Sequence, residues 1–197
     1  MKRIIVGLTG ASGSVYFCRL LDFLAQQEVE VHIVASEQGE KVLLHETGTD
    51  LAHLVRQWSS QTARVVFEDN GNLFSAIASG SFRCDAMAIL PCSMHTLAEI
   101  AHGITGTLLP RAADVMLKER RRLVVVPRET PLSAIHLRNM LTLAELGATV
   151  LPAMPGFYHQ PQTMGDLIDF VVGKTLDSLN IDNDLFQRWK GEEKENG

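Results

Sequence analysis

The sequence predicts an α/β protein built on a doubly wound parallel sheet of about six strands, with helices on both sides. Six short apolar runs recur along the 197 residues, at 3–8, 29–35, 63–67, 85–91, 123–127 and 148–152. These runs are rich in Val and Ile and apolar on both faces, which is typical of strands buried in a parallel sheet. Most segments between them show helical periodicity, and right-handed crossovers then favour the doubly wound arrangement.

The first strand and the first helix are joined by a loop of small residues. Residues 4–8 form the apolar strand, and apolar residues at 15, 18, 21 and 24 recur at helical spacing. Between them, "TGASG" belongs to a segment with glycines at 7, 10 and 13, which let the backbone turn tightly and approach a ligand. A loop of this kind directs amide N–H groups and the positive end of a helix dipole at an anion, and phosphate is the first candidate. Many parallel α/β domains nevertheless open this way without a nucleotide, and the spacing differs from the dinucleotide G-x-G-x-x-G.

The later strands also end in unusual loops. "SEQ" follows the second strand, "PCSMHT" the fourth, "PRETP" the fifth and "PAMPGFYHQP" the sixth. Ligands bind beyond the carboxyl ends of strands in such a sheet, so these loops are candidates for the site. The least regular segment, 50–83, is predicted to hold a helix around 51–58 and then a loop or short helix near the mouth of the site.

Composition limits the classes of function. A net charge of −5, with "KERRR" at 118–122 as the single basic run, makes nucleic acid an unexpected partner. Three cysteines without C-x-x-C or zinc spacing favour free thiols, and hence a cytoplasmic protein without a metal site. The chain enters a strand without the features of a signal peptide, and no apolar run is long enough to span a membrane. One domain is predicted at 1–190, followed by a disordered charged tail at 191–197.

A group of charges marks residues 108–131. On a helix, Arg111, Asp114 and Lys118 share one face, and Arg128 and Glu129 follow the next strand. Each charge alone is compatible with a solvated surface. Because we expect them beside "TGASG" at one edge of the sheet, together they resemble a clamp for a transferring or leaving phosphate.

Three further features have a structural and a functional interpretation. Ser93 and Thr96 in "PCSMHT" either cap the following helix or face a flavin or phosphate. Glu46 ends the second helix, where a carboxylate opposes the helix dipole, so it is either simply exposed or held by another group. The stiff loop "PGFYHQP" is either a buried loop or an aromatic wall over a ligand.

Taken together, "TGASGS", "ASGSF", "PCSM", the long stretch that begins with "RAADVMLKERRRLVVVPRETP" and the closing "RW" resemble the UbiX family of flavin prenyltransferases. The likeness runs from residue 3 to about 190. It implies an FMN-binding, Rossmann-like (flavodoxin-like) three-layer fold with strand order 3-2-1-4-5-6, assembled as a homododecamer with active sites at subunit junctions.

The implied activity joins a dimethylallyl group from dimethylallyl monophosphate to N5 and C6 of reduced FMN. The product, prenylated FMN, would serve UbiD-type decarboxylases. The family requires no metal, and the chain lacks the D-D-x-x-D magnesium motif of diphosphate prenyltransferases. Protein cations must then stabilise the leaving phosphate.

The resemblance also implies roles for individual residues. Glu129 would remove a proton when the second ring bond forms, Ser12 and Glu46 would relay a proton to the leaving group, and Trp189 would close the pocket. Lys118 would act in catalysis and, with Arg128, Tyr158 and Lys174, bind the phosphate; Lys174 stands where the family often has arginine. The FMN-contacting positions are Gly10, Ala11, Ser12, Ser36, Ser93, Met94, Thr96 and Arg111.

Two other functions share this fold. An FMN-dependent cysteine decarboxylase would carry "P-A-S-A-N-T" where this chain reads "PCSMHT", and would lack "RAADVMLKERR". A non-enzymatic flavin carrier would have no use for a second cluster of phosphate-binding cations. The sequence leaves open whether the donor is the monophosphate or the diphosphate, and whether the pathway is ubiquinone synthesis or aromatic-acid decarboxylation.

Overall fold

A computed structural model describes residues 1–189 and 191. Apart from Gly191, the predicted disordered tail lies outside the described residues. One parallel sheet of six strands runs in the order β3-β2-β1-β4-β5-β6, as predicted. The strands are β1 (Lys2–Leu8), β2 (Val29–Ala35), β3 (Arg64–Glu68), β4 (Ala86–Cys92), β5 (Arg122–Pro127) and β6 (Thr149–Val150).

Seven helices cover the two faces of this sheet in the described part of the chain. They are α1 (Ser14–Leu24), α2 (Glu37–Thr47), α3 (Leu51–Ser59), α4 (Met94–Ala101), α5 (Leu108–Lys118), α6 (Ala134–Glu145) and α7 (Met164–Ser178). The predicted helix around 51–58 is confirmed, and the irregular segment after it contains one 3-10 turn, Ala76–Ala78. None of these helices is both long and apolar enough to cross a membrane.

Alternate residues of each strand fill two separate cores. Ile4, Val6 and Leu8 of β1 pack with buried side chains of α1, α3 and α7 on one face. Ile5 lies on the other face, with buried side chains of α4, α5 and α6. Since successive strand residues point to opposite faces, strands that are apolar on both faces require helices on both sides, and the result is three layers.

The last strand is shorter than its apolar run predicts. The run spans 148–152, but β6 has two residues. Because the N–H groups of Leu151 and Ala153 face β5, position 152 faces the open edge of the sheet, where proline, which has no N–H to donate, is tolerated. Backbone N–H groups of Leu151 and Ala153 still donate to β5, at 2.9 and 3.0 Å, so the loop that follows remains fixed to the carboxyl end of β5.

Candidate active site

A cavity of about 420 Å³ opens at the carboxyl edge of the sheet, where the strand order reverses between β1 and β4. Its size falls within the range of small-molecule sites, roughly 300–1,000 Å³. Four residues with an implied FMN contact line it: Gly10, Ser36, Ser93 and Thr96. The structure therefore brings together residues from three different loops, as expected for the switch point of a doubly wound sheet.

Three helices begin at this cavity, and two of them, α2 and α4, have side-chain caps. The Ser36 hydroxyl accepts the Gly39 N–H at 3.1 Å, and the Ser93 hydroxyl accepts the Thr96 N–H at 3.3 Å. The capping interpretation of Ser93 is thus confirmed, and the same side chain also lines the cavity. Met94, half-buried, is the first residue of α4. These two helix N-termini favour an anion in the cavity, whereas the carboxylates of Glu37 and Glu99, which also line it, oppose one.

Thr9 connects β1 to the end of β4 at the switch point. The sequence analysis did not identify this residue. Its buried hydroxyl donates to the Pro91 carbonyl at 2.7 Å and accepts the Ser93 N–H at 2.8 Å. This places the start of α4 directly beside the end of β1. A polar residue immediately after a fully apolar strand was the available signal.

The glycines at positions 7, 10 and 13 have different structural roles. Gly7 lies within β1 against Ile89 and Leu109, so its role is packing. A Cβ on Gly10 would come within 2.7 Å of Gln38, so this glycine lets α2 approach the loop. Gly13 has a φ of +112° and is the N-cap of α1, a conformation that favours glycine.

Glu46 occupies the N-terminus of α1. Its carboxylate accepts the backbone N–H groups of Gly13 at 3.1 Å and Ser14 at 2.8 Å. Of the two interpretations of Glu46, the structure supports the one in which another group holds it, and the side chain is also exposed. Burial raises the pKa of Glu46, but hydrogen bonds from the Ser12 hydroxyl and the Ser14 and Gly13 amides outweigh burial and hold the pKa below its ordinary value. An ionised carboxylate thus sits on the amides that the sequence assigned to phosphate, with exposed Ser12 beside it and buried Ala11 preceding it.

The start of α5 is fixed by Asn70, a residue that the sequence analysis did not identify within the irregular segment 50–83. The Asn70 carbonyl accepts the Leu108 N–H at 2.8 Å, and its side-chain oxygen accepts the Leu109 N–H at 2.9 Å. Arg111, one turn further, donates to the Ala78 carbonyl at 3.1 Å and to Asp114 at 2.8 Å. Because these contacts hold Arg111 from two sides, its guanidinium has a defined position, one residue after Pro110, which lines the cavity.

A second group of predicted residues lies at the carboxyl end of β5. Arg128 and Glu129 are exposed and line a smaller cavity of about 140 Å³. Burial raises the pKa of Tyr16, and the nearby Arg128 charge opposes that rise. The Tyr16 ring lies against Gly13, where a Cβ would be 3.0 Å away. Arg128 therefore lies near the loop between β1 and α1, which we call the α1 loop.

The loop after β6 forms an aromatic cluster with the C-terminal segment. The Tyr158 ring meets Trp189 edge to face, with centroids 6.0 Å apart, and meets Phe170 at 5.8 Å. His159 stacks on Phe170 at 5.3 Å. Tyr158, His159 and Trp189 line a cavity of about 350 Å³. This arrangement agrees with the aromatic-wall interpretation, although Phe157 is exposed.

Lys118 is the exception to the predicted clustering. It ends α5, pairs with Glu119 and lies shortly before Arg122, the first residue of β5. That is the amino edge of the sheet, so the expectation that Lys118 lies beside "TGASG" is wrong within one chain. Lys118 shares a helix face with Arg111 but lies seven residues, and therefore about 10 Å, further along the axis. Lys174 is separate again, on the exposed side of α7.

Comparison with known proteins agrees with this geometry. Residues 1–176 match the family described as Flavoprotein. The flavin prenyltransferase UbiX of Halalkalibacterium halodurans is 51% identical over 97% of this chain and 94% of its own. The UbiX of Pseudomonas aeruginosa is 46% identical over 95% and 94%.

Solved structures show the same relationship. A crystal structure of AnUbiX (PadA1) with FMN and dimethylallyl pyrophosphate has a TM-score of 0.90 and 43% identity, and covers 98% of this chain and 99% of that one. A dodecameric FMN-dependent UbiX-like decarboxylase from Escherichia coli O157:H7 has a TM-score of 0.88 and 41% identity, over 96% and 100%. The cysteine decarboxylase SpaF, at 19% identity, covering 77% and 84%, and a TM-score of 0.55, shares the fold alone.

The fold and the site at its switch point define a doubly wound flavoprotein. Within that class, the chain belongs to the UbiX family of flavin prenyltransferases.

Proposed function

We propose that the protein is a flavin prenyltransferase that joins a dimethylallyl group to N5 and C6 of reduced FMN. The donor would be dimethylallyl monophosphate, and the prenylated FMN would pass to a UbiD-type decarboxylase. The observation that carries this proposal is the cavity at the switch point. It combines two capped helix N-termini with Arg111 nearby, and the ionised Glu46 carboxylate lies at the adjoining α1 loop.

The residues at this cavity suit FMN. Gly10, Ser36, Ser93 and Thr96, which line the cavity, would hold it together with Ala11, Ser12, Met94 and Arg111, which lie close to lining residues in the chain. The set supplies amide donors, hydroxyls and one cation with a fixed position. When bound, reduced FMN would supply the nucleophilic nitrogen, so the protein would need no side-chain nucleophile.

The cysteines agree with this assignment. Burial raises the pKa of the Cys18 and Cys92 thiols to about 12 and that of Cys84 to about 11. All three thiols are therefore protonated at neutral pH and poor nucleophiles. All three are also free of disulfides, which supports a cytoplasmic location.

The leaving phosphate would be bound by Lys118, Arg128, Lys174 and Tyr158. Since Lys118 lies at the amino edge of its own sheet, we infer that a neighbouring subunit supplies it and that the site is completed at a junction. Exposed apolar side chains support an assembly: Ile135, Leu137 and Leu141 on α6 are 53–64% exposed and Phe74 is fully exposed. The dodecamer described for the relative from Escherichia coli is the proposed form.

Proton transfers are assigned to two places. Because Glu46 is ionised, it would orient the exposed Ser12 hydroxyl. Ser12 would take up the proton that N5 must lose on alkylation as it passes its own proton to the leaving phosphate oxygen, so the hydroxyl is regenerated. Glu129, at the carboxyl end of β5, would accept the proton released when the second ring bond forms.

Trp189, beside Tyr158, would cover the allyl group and exclude water. No step of this proposal requires a metal.

The test is anaerobic incubation with reduced FMN and dimethylallyl monophosphate, followed by mass spectrometry of the released flavin. We expect a mass gain of one C5 unit, which is absent without donor. A parallel reaction with dimethylallyl diphosphate decides between the two donors. Unmodified FMN in both reactions, from protein shown to bind FMN, would refute the proposal.

A further inference from the structure

We propose that Arg188 is a positioning residue that holds Trp189 against Tyr158. It does so as part of a C-terminal latch, which we define as Gly173 and Asp177 on α7 together with Asn183, Phe186 and Arg188. The inference rests on the proposed function, in which Trp189 closes the prenyl pocket.

The latch is centred on a two-pronged ion pair. The two terminal nitrogens of Arg188 donate to the two carboxylate oxygens of Asp177, at 2.9 and 2.7 Å. One of them also donates to the Asn183 carbonyl at 3.2 Å. The Asn183 side-chain amide in turn donates to Asp177 at 2.9 Å. A planar fork on a carboxylate fixes orientation as well as distance, so this pair determines where the backbone of residue 188 lies.

An aromatic plug secures the same segment. The Arg188 guanidinium lies 5.2 Å from the centroid of the Phe186 ring. Phe186 fills the gap that α7 leaves at Gly173, because a Cβ there would come within 2.5 Å of the ring. Phe186 also meets Phe170, with centroids 5.2 Å apart. The segment is therefore attached to α7 by one apolar contact and one charged contact.

Trp189 depends on this attachment. It is 67% exposed, and its described aromatic contact is the edge-to-face meeting with Tyr158. A side chain with so much exposed surface has little packing to hold it in one orientation. The backbone at residue 188, fixed by these contacts, therefore keeps Trp189 over the cavity that Trp189 and Tyr158 line.

The experiment uses ¹⁹F NMR of the full-length protein labelled with 5-fluorotryptophan. The chain has two tryptophans, so Trp189→Phe assigns both resonances. Arg188→Gln should move the Trp189 resonance toward the free amino-acid position and narrow it, because the Tyr158 ring no longer lies beside the indole. The buried Trp58 resonance should stay unchanged and so report an intact fold.

The same variants are compared in catalysis. Arg188→Gln should lower the prenylation rate by about two- to fivefold, the size typical of an exposed charge pair, with an unchanged dissociation constant for FMN. Arg188→Lys should recover less than half of the lost prenylation rate, since an ammonium cannot donate to both carboxylate oxygens in the bidentate geometry of a guanidinium. Adding Asp177→Asn to Arg188→Gln should cause little further loss, because both substitutions break one contact.

Arg19→Gln is the matched control. Arg19 forms a similar two-pronged pair with Asp169, also on α7, at 2.5 and 3.2 Å, but it attaches α1 and not the C-terminal segment. It should leave the Trp189 resonance and the prenylation rate as they are. An unchanged Trp189 resonance in Arg188→Gln, or an equal change in Arg19→Gln, would overturn the inference. Failure of the proposed function is distinguishable, because the unsubstituted protein would then form no prenylated flavin.

Discussion

Replacing Glu46 by Gln removes the negative charge from the N-terminus of α1 while keeping an acceptor of similar size. The carboxylate has two roles there: it accepts two backbone N–H groups, at 3.1 and 2.8 Å, and it complements the helix dipole. A charge at an exposed helix N-terminus contributes about 0.3–1 kcal/mol, and a hydrogen bond to a charged group about 1.5–3 kcal/mol. Because Glu46 is exposed and glutamine still accepts one N–H, we expect a net loss of about 1 kcal/mol in the free energy of unfolding at pH 7.

The pH dependence gives the prediction its sign. The pKa of Glu46 is lower in the folded chain than its ordinary value of about 4.3. Its contribution to stability is therefore fully present above that value and is lost as pH falls through the folded-state pKa. The difference between Glu46→Gln and the unsubstituted protein should thus be constant from pH 6 to 8 and should disappear in acid.

Urea unfolding at one fixed protein concentration measures this difference. With a slope of about 2.5 kcal/mol per molar urea, the midpoint should fall by about 0.4 M at pH 7. Glu40→Gln is the matched control on the same helix. Burial, with Glu37 nearby, raises the pKa of Glu40, so removing that charge should leave the midpoint unchanged or slightly higher. Equal midpoints for Glu46→Gln and the unsubstituted protein at pH 7, or a difference that persists in acid, would refute the reasoning.

Three further predictions concern the cavity and the phosphate cations. Gly10→Ala places a Cβ within 2.7 Å of Gln38, so urea unfolding should show a loss of about 1–3 kcal/mol, and fluorescence titration should show weaker FMN binding. Asn70→Ala removes the acceptor for the Leu109 N–H and should cost about 1 kcal/mol by the same unfolding assay, whereas Asn70→Asp, which keeps an acceptor, should lose less. Lys118→Ala should still bind FMN in a titration but form little prenylated flavin by mass spectrometry; full product would remove Lys118 from its role.

The sheet could be predicted from the sequence because its strands are buried on both faces. A Val- and Ile-rich run such as 123–127 has few alternatives, and the order of such runs restricts the topology. The positions of Ser36 and Ser93 followed from the same argument, since each comes directly after a strand. β6 is shorter than its apolar run because apolar character does not reveal where regular strand pairing ends, although Leu151 and Ala153 still donate to β5.

The residues that were missed act through long-range contacts. Thr9 contacts Pro91, 82 positions away, and Asn70 contacts Leu109, 39 positions away. A threonine after a strand or an asparagine in a loop has many local explanations, so the sequence alone does not single them out. Glu46 could be predicted only in part. Its unfavourable place at a helix end indicated a partner, but only the fold identified that partner as the amides of Gly13 and Ser14.

The position of Lys118 has a consequence for mixtures of inactive subunits. Glu46 and Lys118 lie at opposite edges of one sheet, so a shared site would take one from each of two chains. We expect both Glu46→Gln and Lys118→Ala chains to form little prenylated flavin alone. Glu46→Gln chains retain Lys118, and Lys118→Ala chains retain Glu46. If the two are dissociated and reassembled together at equal amounts, roughly a quarter of the junctions should combine both intact residues by random assortment in a symmetric oligomer. The mixed oligomers should then show prenylation activity although neither variant does so alone. If the site were contained within a single chain, mixing at any ratio would restore no activity.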